Sequence, residues 1–128
     1  MKILFYDGGS GIRSKLVDVL SKVNLGWFKI VTTKEDLLWN LEMVLPEVLI
    51  LDKNIEQDEA FNLIVSISGS YYPHIKVLVL QDLISNKALR LFIEAGALGI
   101  VTANDIDTQL KPAILTIAKR KYYIGFTP

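Results

Sequence analysis

The chain has 128 residues, 51% of them hydrophobic, with 14 basic side chains balanced by 14 acidic ones. That length suits one domain with one core, and the composition excludes a disordered chain. The zero net charge argues against a surface built for nucleic acid or anionic lipid, and the absence of cysteine excludes disulfides, thiol catalysis and Cys–zinc sites.

The first predicted strand, Lys2–Tyr6, ends in an acid, Asp7. A glycine run, Gly8-Gly9-Ser10-Gly11, leads into a helix over Ile12–Val23, with Leu16, Val17 and Leu20 as its apolar stripe. A more mixed strand, Trp27–Val31, follows, then a helix over Lys34–Met43 that Thr33 is placed to cap. Val48–Leu51 is wholly apolar and delivers a second acid, Asp52. A helix over Glu59–Ile67 and another apolar strand, Lys76–Leu80, come next. The helix Ser85–Ala95 has Ala88, Leu91, Phe92 and Ala95 on one face and Gly96 where a helix stop needs positive φ. Strand Gly99–Val101 and helix Thr108–Lys119, with Pro112 in its early part, complete the series.

Strand and helix alternate throughout, which requires crossovers and a parallel sheet. Strands one, three and four lack polar alternation and so belong at the sheet centre, covered on both faces. The expected fold is α/β, a five-stranded parallel sheet in a doubly wound (βα)5 arrangement. There is no internal repeat or linker, so residues 1–128 read as a single domain. The amino terminus enters a strand at once, without the basic start and apolar stretch of a signal peptide, and the apolar runs are too short to cross a bilayer. A cytoplasmic protein with no membrane association is the expectation.

In such a fold, ligands and chemistry gather at the carboxyl ends of the strands, where Asp7 and Asp52 lie. The Gly8-Gly9-Ser10-Gly11 loop invites a phosphate- or nucleotide-binding reading, but no Walker lysine follows and the dinucleotide pattern lacks its third glycine. His74 precedes the fourth strand, at the opposite end of the sheet, and Ser10 has no evident histidine partner, so a catalytic triad is not supported and no enzymatic activity is expected. The segment Lys119-Arg120-Lys121-Tyr122-Tyr123 reads as a solvated, dipole-favoured helix terminus.

Taken together and in order, several runs resemble the receiver domain of bacterial two-component response regulators, in particular the LuxR-type branch. These are Ile3-Leu4-Phe5-Tyr6-Asp7 with Ile12-Arg13, Pro46-Glu47-Val48-Leu49-Ile50-Leu51-Asp52, Val77-Leu78-Val79-Leu80, Ala95-Gly96-Ala97-Leu98-Gly99, and Tyr123-Ile124 with Thr127-Pro128. The resemblance implies a flavodoxin-like receiver fold with strand order 2-1-3-4-5. It also implies a histidine kinase as phosphodonor, homodimerisation or a partner protein, and DNA contact only through a helix-turn-helix output domain outside this chain.

It further implies a role for each pocket position. Asp52 matches the phosphoacceptor and Asp7 the first of two Mg²⁺-holding acids. Gly8 stands where the second acid belongs, Gln81 where a hydroxyl binds the phosphoryl group, Ala103 where a lysine clamps it, and Ile100 where the switch aromatic sits. Ile55, Glu56 and Ala60 replace the family's Met, Pro and Gly, whereas Asn54 keeps a carbonyl that can face the metal. Mg²⁺ would be held weakly by Asp7, Asp52 and Asn54, and no other cofactor is expected. The pocket keeps two carboxylates and no lysine, formally −2, the same as three carboxylates and one lysine. Two such carboxylates should push one pKa upward, and Gln81 is expected to donate to one of them. The expectation is an atypical receiver, a pseudo-receiver with impaired or absent Asp52 phosphorylation. Alternatives are a functional phosphoacceptor with an unusual metal site and a flavodoxin-like small-molecule or nucleotide binder. Lys87, Arg90, Lys111 and Tyr122 are exposed candidates on an interaction surface.

Overall fold

A computed structural model describes residues 1–70, 74–82 and 85–125. Its elements are β1 (Lys2–Tyr6), α1 (Arg13–Val23), β2 (Trp27–Val31), α2 (Lys34–Met43), β3 (Val48–Leu51), α3 (Gln57–Ser70), β4 (Lys76–Gln81), α4 (Asn86–Ala95), β5 (Gly99–Thr102), a 3₁₀ turn (Ala103–Asp105), α5 (Ile106–Ala118) and β6 (Tyr123–Ile124). Thr127 and Pro128 of the family-like exit lie outside the described residues.

Every strand pair is parallel, and the order is β2-β1-β3-β4-β5-β6. The wholly apolar strands β1, β3 and β4 occupy the centre, as their lack of polar alternation requires, and mixed β2 is an edge. Alternate side chains of these strands feed two cores. Ile3, Phe5, Ile50, Leu78 and Val101 meet Leu16 and Leu20 of α1 and Leu110, Ile114 and Ile117 of α5 on one face. Leu4, Leu49, Leu51, Val77 and Ile100 meet Leu37 and Leu41 of α2, Leu63, Ile64 and Ile67 of α3, and Phe92 of α4 on the other. Phe61 of α3 and Phe92 stack at 4.5 Å between ring centroids.

Local signals place the helices. The Thr33 hydroxyl accepts from the Asp36 N–H at 3.1 Å, and Ser85 does the same for Ala88 at 3.1 Å, so Ser85 caps α4 instead of opening it. Gly96 ends α4 at φ 123°, a conformation that favours glycine. In α1 the third buried position is Val19, with Val17 only half-buried. In α4 Leu91 faces solvent, while Leu89 and Ile93 flank buried Phe92. Pro112 lies inside α5, which starts at Ile106, so the Thr108 carbonyl loses its helical partner.

The sheet has six strands and not the expected five. After α5 the chain reverses through Arg120 at φ 61°, and Tyr123 and Ile124 pair with Gly99 and Ile100. The Tyr123 N–H donates to the Leu98 carbonyl at 2.9 Å and the Gly125 N–H to the Ile100 carbonyl at 2.8 Å. Two residues are too short a run to show a strand period, and the basic stretch before them masks it. Lys87, Arg90, Lys111 and Tyr122 are exposed as expected. No helix among the described residues is long and apolar enough to cross a membrane.

Candidate functional site

β1 and β3 are neighbours with Tyr6 opposite Leu51, so the next residue of each, Asp7 and Asp52, emerges side by side. The pairing runs on into the acids themselves: the Asp7 N–H donates to the Val31 carbonyl at 2.9 Å and the Asp52 N–H to the Tyr6 carbonyl at 3.1 Å. Asp52 is 1% exposed and Asp7 8%. Carboxylates so deep need hydrogen-bond donors, because desolvation otherwise disfavours their charged form.

The donors come from the loop that follows β1. The Gly8 N–H reaches Asp52 Oδ2 at 2.8 Å, the Ser10 N–H the same oxygen at 3.3 Å, and the Ser10 hydroxyl donates to Asp52 Oδ1 at 2.6 Å. The Gly9 N–H donates to Asp7 Oδ1 at 2.8 Å. Arg13, the first residue of α1, places Nε and Nη2 each 2.6 Å from Asp7 Oδ2. Gly9 and Gly11 have φ 82° and 88°, which lets the backbone curl its N–H groups inward. The N–H groups of a would-be nucleotide cradle therefore face the protein's own acids, and the nucleotide reading loses its donors.

The remaining sequence-predicted positions separate. Gly8 lies directly under the loop after β3: a Cβ there would stand 3.0 Å from Ile55 Cδ1 and 3.1 Å from backbone atoms of Asn54 and Ile55. Asn54 lines a cleft of about 480 Å³ with Asp7, Gly8, Gly9, Arg13, Thr32 and Glu59. Gln81 ends β4 and makes no hydrogen bond to Asp7 or Asp52 among the described residues, contrary to expectation; Ser10 and Gly8 serve Asp52 instead. Ala103 is buried at the start of the 3₁₀ turn and Ile100 is fully buried in the core. Two lysines line a small pocket of about 180 Å³ with Ser10 and Ala103, but both are engaged elsewhere. Lys15 donates to the Asn104 carbonyl at 3.1 Å and Lys53 to Asp82 at 2.9 Å. His74 sits in an exposed turn before β4, at the far end of the sheet.

Arg13 and Ser10 were invisible as site residues in the sequence. Arg13 counted only toward the family-like opening, and Ser10 only as a serine without a histidine. The available signal was position: a basic residue in the first turn of a helix that starts just beyond a strand-end acid. With Arg13 included the pocket charge is formally −1, not −2.

At Asp7 the shift runs downward, not upward. Burial raises the Asp7 pKa, but the Gly9 N–H, the Arg13 hydrogen bond and the Arg13 charge lower it further, and the net shift is downward. The Tyr6 hydroxyl donates to Glu59 Oε1 at 3.0 Å; burial, then that bond and the Glu59 charge, raise the phenol pKa.

A receiver fold implies Mg²⁺. Mg²⁺ requires an octahedron of oxygens and usually draws on one or two carboxylates plus waters. Here Asp7 Oδ2 is held by a guanidinium, both Asp52 oxygens are held by Gly8 and Ser10, and Gly8 supplies no side-chain ligand. The arrangement as it stands does not fit the ion.

No protein-family model matches the chain, and no curated protein sequence does. Solved structures do match. The receiver domain of the stress response regulator RcsB from Escherichia coli, in its non-phosphorylated form, superposes with a TM-score of 0.81 at 20% identity, covering 98% of each chain. The RcsB response regulator of Salmonella typhimurium, in a structure concerned with conformational dynamism for DNA interaction, gives 0.77 at 23% identity over all of this chain. This chain spans 65% of the length of that RcsB chain. The signal receiver domain of the putative response regulator NarL from Mycobacterium tuberculosis gives 0.76 at 20% identity, covering 92% of this chain and 95% of its own. The chain has the fold of response regulator receiver domains.

Two consequences are measurable. Ser10→Ala removes the hydroxyl donor from a carboxylate that is almost fully buried and should cost about 1–3 kcal/mol by urea unfolding. Asp7 has a lowered folded pKa, so its contribution is present above the unfolded value near pH 4 and fades as pH falls through the folded value. Asp7→Asn should therefore destabilise by about 1–3 kcal/mol at pH 7, with the gap to wild type narrowing below about pH 4; a gap independent of pH would contradict the ion pair.

Proposed function

We propose that this chain is an atypical receiver domain of a two-component-type response regulator, a signalling and dimerisation module whose Asp52 is not phosphorylated in the ordinary way. The observation that carries the proposal is the set of donors closed over the acid pair within a receiver fold. Asp52 Oδ1 is held by Ser10 and Oδ2 by Gly8, so the oxygen that would attack phosphorus is already hydrogen-bonded on the inside of a loop. Phosphoryl transfer also needs charge neutralised on the equatorial oxygens, and Ala103 supplies no cation there. By analogy with removed oxyanion donors, that loss alone is worth roughly a hundredfold or more in rate. Gln81 and Ile100 offer neither the hydroxyl nor the aromatic whose coupled movement would carry a phosphorylation signal outward.

On this reading the chain is not an enzyme, works in the cytoplasm without membrane association, and acts through protein contacts. Its partner is a second copy or another protein, including a histidine kinase, and any DNA contact belongs to an output domain outside residues 1–128. The DNA interaction named for Salmonella RcsB supports that last assignment by likeness of fold.

Incubation with Mg²⁺ and a small-molecule phosphodonor, followed by intact-mass measurement, should show no stoichiometric phosphate. A gain of one phosphate that disappears in Asp52→Ala would establish the functional phosphoacceptor instead. For the dimer, the exposed apolar side chains Leu91 of α4 and Leu115 of α5 are candidate contacts. Light scattering should give a dimer mass that rises with concentration; a monomer mass at every concentration would refute dimerisation.

A further inference from the structure

Arg13 follows Asp7 by six residues, and its half-exposed side chain folds back over the strand ends. Its guanidinium lies in the cleft onto which Asp7, Gly9 and Asn54 also open. Nε and Nη2 both approach Asp7 Oδ2 at 2.6 Å, while Oδ1 is taken by the Gly9 N–H. Asp52 has its own complete set of donors in Gly8 and Ser10. A divalent ion bound here would share Oδ2 with a positive group at hydrogen-bonding distance. Arginine does not deprotonate in proteins, so pH cannot relieve that competition.

We infer that Arg13 is the resident cation of this pocket, a covalently attached substitute for a divalent ion, and that by holding Asp7 Oδ2 it keeps Mg²⁺ and similar ions off Asp7. The substitution deepens the functional reading above and concerns the same pocket. It also accounts for Gly8. A second acid there would add a charge with no ion to bind and would press its Cβ on the Asn54–Ile55 backbone. A guanidinium differs from a metal in one functional respect. It is a planar donor with no vacant coordination position, so it can balance a carboxylate but cannot present a phosphoryl oxygen and a carboxylate oxygen to one centre.

The test is a Mn²⁺ titration of the 128-residue chain, followed by paramagnetic broadening of the backbone amide resonances of Gly8, Gly9 and Asn54. Wild type should show no saturable broadening. Arg13→Ala should show it, competed by Mg²⁺, with an apparent affinity at least about tenfold tighter than any wild-type response, since a positive charge has been removed from the site. Arg13→Lys, which keeps the charge, should stay close to wild type. A second readout needs no variant: the wild-type Arg13 Nε–H resonance should hold its position across the same range of Mg²⁺. Equal behaviour of wild type and Arg13→Ala, whether both bind or neither does, overturns the inference, as does a saturable Mg²⁺-dependent shift of the Nε–H. Phosphate on Asp52 is read separately by mass. Saturable Mn²⁺ binding by wild type without phosphate gain therefore overturns the inference while leaving the functional reading in place.

Discussion

Two buried carboxylates on adjacent strand ends must be satisfied from somewhere, and everything at this end of the sheet follows from how that is done. The register that places Tyr6 opposite Leu51 makes Asp7 and Asp52 neighbours before any side-chain chemistry is considered. Left alone, two such acids would repel, and one would hold a proton. The loop from Gly8 to Ser10 and the first residue of α1 remove the problem with backbone N–H groups, one hydroxyl and one guanidinium. The glycines are therefore explained by the acids. Gly9 and Gly11 adopt positive φ so that the loop can turn its donors inward, and Gly8 has no Cβ because the Asn54–Ile55 backbone closes on it.

The residues at positions 8, 13 and 103 are consequently linked through the acids they surround. A side chain at Gly8 would crowd Ile55 Cδ1 at 3.0 Å and the Asn54–Ile55 backbone at 3.1 Å, so the β3–α3 loop would have to give by a few tenths of an ångström. A lysine at Ala103 would bring a long cationic side chain to a buried position beside Lys15 and Lys53. Arg13 already balances Asp7, so a further cation would have only Asp52 to answer, and Asp52 is already fully donated to. With Asp7, Asp52 and Arg13 the pocket carries a formal charge of −1.

Much of this architecture was legible because it rests on burial and period. Strands β1, β2 and β3 end where their apolar runs end, and the wholly apolar strands lie at the centre because both of their faces are covered. Thr33 and Gly96 were readable because caps and positive-φ stops have strong residue preferences. What escaped was nonlocal or short. β6 is two residues long and exists because β5 offers it a free edge, which no local pattern announces. Asp7 and Asp52 could be picked out from strand ends alone. Their donors could not, since the Ser10 hydroxyl reaches Asp52 across 42 positions of sequence. Gln81 takes its place beside the acids only from the family resemblance, and in the structure Gly8 and Ser10 fill that role for Asp52.

That arrangement of the loop gives Asp52 a structural role whatever its reactivity. Its carboxylate is the acceptor for the Gly8 N–H, the Ser10 N–H and the Ser10 hydroxyl, and its N–H holds the end of β3 to β1. Removing the carboxylate would strand those donors in a closed environment, at a cost comparable to leaving any buried polar group unpaired. Asp52 is the fixed point around which the β1–α1 loop is built. The same loop supplies the contacts of Asp7 through Gly9, and α1 supplies them through Arg13. The two acids thus tie β1, β3, the glycine loop and the start of α1 into one unit. On the proposed reading, a signal that passes through this domain without phosphate arrives at its outer surfaces, because the acid pair belongs to its framework.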